Sequence, residues 1–209
     1  MTSAEPATAA RHIKVLGVGN LLWADEGFGV RCVEALGRDW EFPPEVELLD
    51  GGTLGLALIP LLQDATHVLL FDAVDYGKQP GEMVIAKDDE VPRFMGVKKM
   101  SLHQTGFQEV IACAALGDKL PESMMLIGVQ PEQLEDFGGS LCDIVKQQIP
   151  RALEIALLQA RQWGYTYTEC SSHAVDEHQH ALAMHNYEAG RPSAESACRF
   201  GDDRFIPQV

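Results

Sequence analysis

VLGVGNLLWADEGFGVRCVEAL, residues 15–36, holds the turn from which the rest of the chain can be laid out. An apolar run containing Ile13, Val15 and Leu16 meets a Gly17-Val18-Gly19 turn and passes into a segment with Val30, Val33 and Leu36 on one helical side. Strand, glycine turn and helix in that order open a βα unit, and the backbone N–H groups at such a helix entrance often hold phosphate. Asp25 and Glu26 stand at this entrance, and two carboxylates repel a pyrophosphate. Alone, the pair reads as an acidic helix start that complements the helix dipole.

Outward from that turn, apolar runs alternate with helical periodicity. Strands are expected at 12–18, 46–49, 67–71, 83–86 and 124–129, several without polar alternation, as when both sheet faces are covered. Helices are expected at 27–40, 54–62 and 104–116. The alternation predicts an α/β fold with a single twisted, mostly parallel sheet and helices on both faces. A last helix is expected over 141–163, where Leu141, Ile144, Val145, Ile149, Leu153, Ala156, Leu157 and Ala160 recur at three- and four-residue spacing; Pro150 either kinks it, the favoured reading, or divides it in two, and Gly164 stops it. The rest is polar and turn-rich, so the expected organisation is a flexible N-terminus (1–11), one α/β domain (12–164) and an irregular C-terminal tail (165–209).

With 46% apolar residues in 209, the chain can bury one good core. A net charge of −15 argues against nucleic acid and anionic membranes as partners, because both are bound largely through Lys and Arg. MTSAEPATAA lacks the pattern of a secretory leader and no stretch approaches a membrane span, so a soluble, cytoplasmic protein is expected. Cys32, Cys113, Cys142, Cys170 and Cys198 are odd in number and never paired as CxxC, which reads as buried reduced thiols.

In open α/β sheets ligands sit beyond the carboxyl ends of the strands, so polar residues directly after apolar runs are the candidates. Glu26 is one, beside Asp25. Asp72, in THVLLFDAVDYG, ends a second run, with Asp75 an alternative for closing that turn. Asp50, in ELLDGGTLG, ends a third and is followed by Gly51 and Gly52, which let backbone approach a ligand, and by Thr53 as a helix cap. His103, in KKMSLHQTG, lies inside a Ser101–Gln104 capping box, where the helix dipole favours neutral, metal-ligating imidazole. Glu26, Asp72 and His103 belong to three strand–helix junctions that this fold brings to one rim. Two carboxylates and an imidazole suit a first-row divalent metal such as nickel, zinc or manganese.

VLGVGNLLWADEGFGVR, LLDGGT, FDAVD, SLHQTG and LIGVQPE, in this order, resemble the nickel-iron hydrogenase maturation endopeptidases over about residues 13–163. The resemblance implies removal of a C-terminal extension from the hydrogenase large-subunit precursor after nickel insertion. It implies that Glu26, Asp72 and His103 are the metal-binding trio, and catalytic, and that Asp50, Gly51, Gly52 and Thr53 recognise substrate. It also implies that nickel is presented by the precursor rather than held tightly by the resting protease. No Ser-His-Asp, Cys-His or HExxH arrangement stands in the sequence, so covalent catalysis is disfavoured; a metal held between the two proteins would polarise a carbonyl or water while a carboxylate handles protons.

Two other classes use the same residues. A non-catalytic nickel chaperone would employ the trio, assisted by His178, His180 and His185 of the tail. A nucleotide-dependent oxidoreductase would employ Gly17, Gly19 and Asp50, but Leu22 stands where the third fingerprint glycine belongs.

Overall fold

The computed structural model describes residues 11–52, 54–91, 105–117, 120–134, 136–170 and 184–190. Its sheet is built from β1 (Ile13–Val18), β3 (Val46–Gly52), β4 (His67–Ala73), β5 (Met83–Lys87) and β6 (Ser123–Val129), in the spatial order β3-β1-β4-β6-β5. Four strands are parallel, and only the edge strand β5 runs antiparallel, against β6. All six β1 residues and all seven β4 residues are buried, which explains why neither run alternates in polarity.

Side-chain parity divides the core into two layers. Ile13 and Val15 of β1 and Leu69 and Phe71 of β4 pack on the face carrying α1 (Phe28–Asp39) and α5 (Ile149–Gln162). Leu16, Val18, Val68 and Leu70 pack on the opposite face, against Leu62 of α2 (Ile59–Asp64) and Val110, Ile111 and Ala114 of α3 (Thr105–Leu116). Fully burying side chains such as Phe28, Phe71 and Leu70 contributes roughly 1.5–3 kcal/mol each. Asp72 shares the parity of Leu70 and Val68, so it belongs to the face that α3 covers.

Several expectations change at the ends. A 3-10 turn, Ala24–Gly27, precedes α1, and another, Gly55–Leu58, precedes α2. The expected kinked helix over 141–163 is two helices, α4 (Asp143–Lys146) and α5, because Pro150 occupies the first turn of α5, where its missing N–H costs nothing. The stop is as read: Gly164 has φ +90 and the Tyr165 N–H bonds the carbonyl of Ala160.

Beyond it, two stretches expected to be irregular are regular. β7 (Thr168–Glu169) pairs antiparallel with β2 (Trp40–Glu41), whose Trp40 is the last residue of the helix expected over 27–40, and Tyr167 stacks edge-on against Trp40 at 5.1 Å. Further on, α6 (Met184–Gly190) docks on the domain, Glu188 accepting from Ser140 Oγ at 2.8 Å and pairing with Lys146, while Arg31 lies 5.8 Å from the Tyr187 ring centroid. These partners are some 40 residues or more away in sequence, which no local pattern reveals. The thiols also differ from expectation: Cys32, Cys113, Cys142 and Cys170 are free, but of these four only Cys32 is buried and Cys113 is exposed, while Cys198 lies outside the described residues.

Candidate metal-reading site

The chain leaves β1, turns through α1 to β3 on one side, and then crosses to β4 on the other side of β1. The gap between the carboxyl ends of β1 and β4 is therefore a topological switch point, where open α/β sheets take their ligands. Glu26 follows β1, Asp72 is the penultimate residue of β4, and the turn holding Glu26 packs against β4. Both carboxylates are buried, Glu26 at 4% exposure and Asp72 at 1%. They are thus buried, where the sequence suggested rim rather than core positions. Glu26 Oε2 and Asp72 Oδ1 are buried atoms with no hydrogen bond among the described residues, whereas each residue's remaining interactions tie it to its surroundings.

Turn closure after β4 falls to Asp75, leaving Asp72 to the strand end. Asp75 Oδ1 accepts from the Gly77 N–H at 3.1 Å and from Gln130 Nε2 at 2.9 Å. Gln130, in turn, accepts from the Tyr76 and Lys78 N–H groups through Oε1. Tyr76 is held here beside the site: burial, followed by the negative charge of Asp72, pushes its phenol well above the usual range, so it stays a neutral O–H.

The Gly17-Val18-Gly19 turn has a different use from phosphate binding. Gly19 has φ +131, and a Cβ there would lie 1.8 Å from the Glu26 carbonyl oxygen. Gly29 sits so close that a Cβ would meet the carbonyls of Phe71 and Val18 at 2.3 Å. These glycines let α1 and its leading turn close onto β1 and β4. The space a nucleotide phosphate would need holds the protein's own carbonyl, and this disfavours the oxidoreductase reading. Gly29, in the first turn of α1, is the signal of this close approach that the sequence carries.

Asp25 is not a helix cap. The 3-10 turn and α1 both lack a side-chain cap, and the Asp25 carboxylate instead reaches across to the loop after β6. Its Oδ2 accepts from the Glu132 and Gln133 N–H groups, each at 2.8 Å, and its Oδ1 accepts from the Cys142 N–H at 2.7 Å. Burial, then the neighbouring Asp25 and Glu132 carboxylates, raise the Cys142 thiol to about 12, so it remains S–H. Ala24, just before, has φ +37, a conformation costing an alanine about 1–2 kcal/mol.

β3 runs on past the expected end at residue 49, so Asp50 lies within it, on the other flank of β1, where Gly17 pairs with it in register, and its side chain is exposed. Partial burial by its neighbours lifts its carboxyl above the usual range, opposed by a hydrogen bond from the Gly52 backbone. Gly51 packs with its Cβ position 3.2 Å from the Gly17 carbonyl, and Gly52 has φ +37 and bonds Gly19 through its carbonyl. So the structure sets the turn that holds Glu26 against the strand that carries Asp72, at the switch point, with Asp50, Gly51 and Gly52 on the other flank of β1. His103, Thr53, the Ser101–Gln104 capping box, His178 and His180 lie outside the described residues, as does the side chain of His185. Among the described residues, no three His, Cys, Asp or Glu side chains cluster in a way that would hold a metal, and no helix is long and apolar enough to cross a membrane.

Residues 30–159 match the family described as HycI hydrogenase maturation protease. The chain is 54% identical to the hydrogenase expression/formation protein HoxM of Azotobacter vinelandii, covering 95% of this chain and 96% of HoxM. It is 41% identical to the hydrogenase 2 maturation protease of Escherichia coli over 73% of this chain and 93% of that protein. Among solved structures, the hydrogenase maturating endopeptidase HybD from Escherichia coli superposes with a TM-score of 0.72 at 38% identity, over 77% of this chain and 98% of HybD. A buried carboxylate pair at the switch point of an α/β sheet, a family match over more than half the length, and near end-to-end similarity to HoxM identify this chain as a member of the hydrogenase maturation proteases, endopeptidases by family.

Proposed function

We propose that this endopeptidase removes the C-terminal extension of a nickel-loaded hydrogenase large-subunit precursor and reads the nickel through Glu26, Asp72 and His103. The observation carrying the reading is the burial of two carboxylates at adjacent strand ends. Burial concentrates their negative charge in surroundings of low dielectric, and a divalent ion delivered by the substrate is drawn to such charge. Support for His103 comes from connectivity: α3 begins at Thr105, two residues later in sequence, on the sheet face to which Asp72 belongs.

In this reading the nickel belongs to the substrate. Glu26 and Asp72 orient the precursor by binding its metal, which brings the scissile peptide to the switch point, and a carboxylate accepts the proton of the attacking water. Asp50, Gly51, Gly52 and Thr53 contact the peptide flanking the cleaved bond, since paired glycines at a strand end admit close backbone approach. Incubation with nickel-loaded and nickel-free precursor tests the reading by mass spectrometry. A mass loss confined to the loaded form supports it; intact loaded precursor bound to the protein indicates a nickel chaperone, and equal cleavage of both forms removes the metal from recognition.

A further inference from the structure

We propose that Asp25 is a positioning residue whose carboxylate clasps the loop after β6 to the turn of Glu26, and so holds Glu26 at the end of β4. The inference rests on the assignment of Glu26 to the site. Asp25 is wholly buried and is neighbour in sequence to Glu26. Its three accepted bonds come from backbone groups 107, 108 and 117 residues away, two on the loop and one at the start of α4. A fourth contact runs the other way, from the Asp25 N–H to the Gln133 carbonyl at 3.1 Å.

The same two segments are joined beside Asp25 by further bonds. The Gly138 N–H donates to the Leu22 carbonyl at 2.7 Å, Trp23 bridges Phe137 and Gly139, and the Trp23 and Phe137 rings meet edge-on at 5.3 Å. Ala24, between Trp23 and Asp25, holds the left-handed conformation that an isolated alanine avoids. A turn strained in this way relaxes when its external ties are cut, and Asp25 makes the greatest number of those ties. A carboxylate accepting charge-assisted bonds from rigid backbone is well suited to this work, because its geometry is set from both oxygens. The bonding accounts for an acid beside the metal-reading acid without assigning it to the metal.

Two variants cut the clasp from opposite sides. Asp25→Asn keeps the shape but cannot accept at both positions. Cys142→Pro removes one donor at a residue whose φ of −62 proline adopts, and Cys142→Ala controls for loss of the thiol. Leu153→Ala, in the core of α5 away from the clasp, serves as a control for general destabilisation. The full chain is used throughout. Amide exchange by mass spectrometry is expected to rise at least tenfold over residues 24–27 in Asp25→Asn and Cys142→Pro and to stay within threefold of wild type there in Cys142→Ala and Leu153→Ala. Unchanged exchange over 24–27 in both clasp variants overturns the proposal whatever the activity shows.

Single-turnover cleavage of nickel-loaded precursor then separates positioning from folding. The clasp variants are expected to lose at least tenfold in maximal rate with half-saturation within threefold, whereas Leu153→Ala keeps its rate. Equal rate loss in Leu153→Ala, or a full rate in both clasp variants, overturns the role. Wild-type chain that cleaves loaded and empty precursor alike defeats the nickel reading instead, and leaves the exchange result to decide the clasp.

Discussion

Gly19 and Glu26 are packed backbone to backbone, with the Cβ position of Gly19 falling 1.8 Å from the Glu26 carbonyl oxygen. The glycine is what allows the acidic turn to fold back over the end of β1. Gly19→Ala should therefore cost about 3 kcal/mol or more, from the contact and from the φ of +131, and should suppress processing even where some folded protein remains. Gly51→Ala, whose Cβ meets the Gly17 carbonyl at a milder 3.2 Å, is expected to cost less. Urea denaturation of the two variants ranks them.

Glu26→Gln and Asp72→Asn preserve side-chain shape at buried positions while removing the charge. Each is expected to reduce cleavage of the loaded precursor at least a hundredfold while changing stability by no more than about 2 kcal/mol. Cleavage kinetics beside a thermal melt check this. A variant that folds and cleaves at the wild-type rate removes that residue from the site.

Gly52→Ala tests selectivity. The left-handed φ of +37 strains any other residue by about 1–2 kcal/mol, and the added methyl comes within 3.2 Å of Asp50 Oδ1, displacing that carboxylate. The ranking among different large-subunit precursors should shift more than the rate on the best of them. A panel of precursors cleaved in parallel provides the comparison, and an equal loss on all of them counts against a recognition role.

Truncation distinguishes the two parts of the tail. Ending the chain after Tyr165 removes Tyr167, which packs against Trp40 and Phe42 and receives Arg161 over its ring at 4.6 Å, and removes the β2–β7 pair with the Cys170 N–H to Asp39 bond. A loss of about 2–3 kcal/mol is expected, whereas ending after Cys170 keeps all of these and should cost less than about 1 kcal/mol. Calorimetry of the two truncated chains reads the difference.

Docking of α6 should depend on pH. Burial raises the Glu188 carboxyl, but the bonds from Lys146 and Ser140 outweigh it and hold the pKa below the usual value. A folded pKa below the unfolded one contributes stability present above the unfolded value of 4.5 and lost as pH falls through the folded value. Amide protection over residues 184–190 is expected to fade below about pH 4.5 and to be lost at pH 7 in Glu188→Ala, with the global melt nearly unchanged, since a half-exposed ion pair contributes at most about 1 kcal/mol.

Local chemistry in the sequence was enough to establish the α/β class, the five main strands and the glycine turn into α1, and to single out Glu26, Asp50 and Asp72 near the carboxyl ends of the strands, because covered strands read as unbroken apolar runs and polar residues after them stand at the ligand edge. The family motifs likewise lie in the primary order of residues. Tertiary structure alone decided what each acid does. Asp25 and Glu26 are adjacent and chemically alike, yet one is spent on three backbone groups more than a hundred residues away and the other is left at the switch point. Asp72 and Asp75 divide in the same way, through Gln130. The breaks in local reading, at Pro150, at the β2–β7 pair and at α6, also depend on distant partners or on the position of a residue within its element. Periodicity records which face of an element is buried, but a carboxylate's partner is set by which loops the topology brings beside it, and that relation exists only in the folded chain.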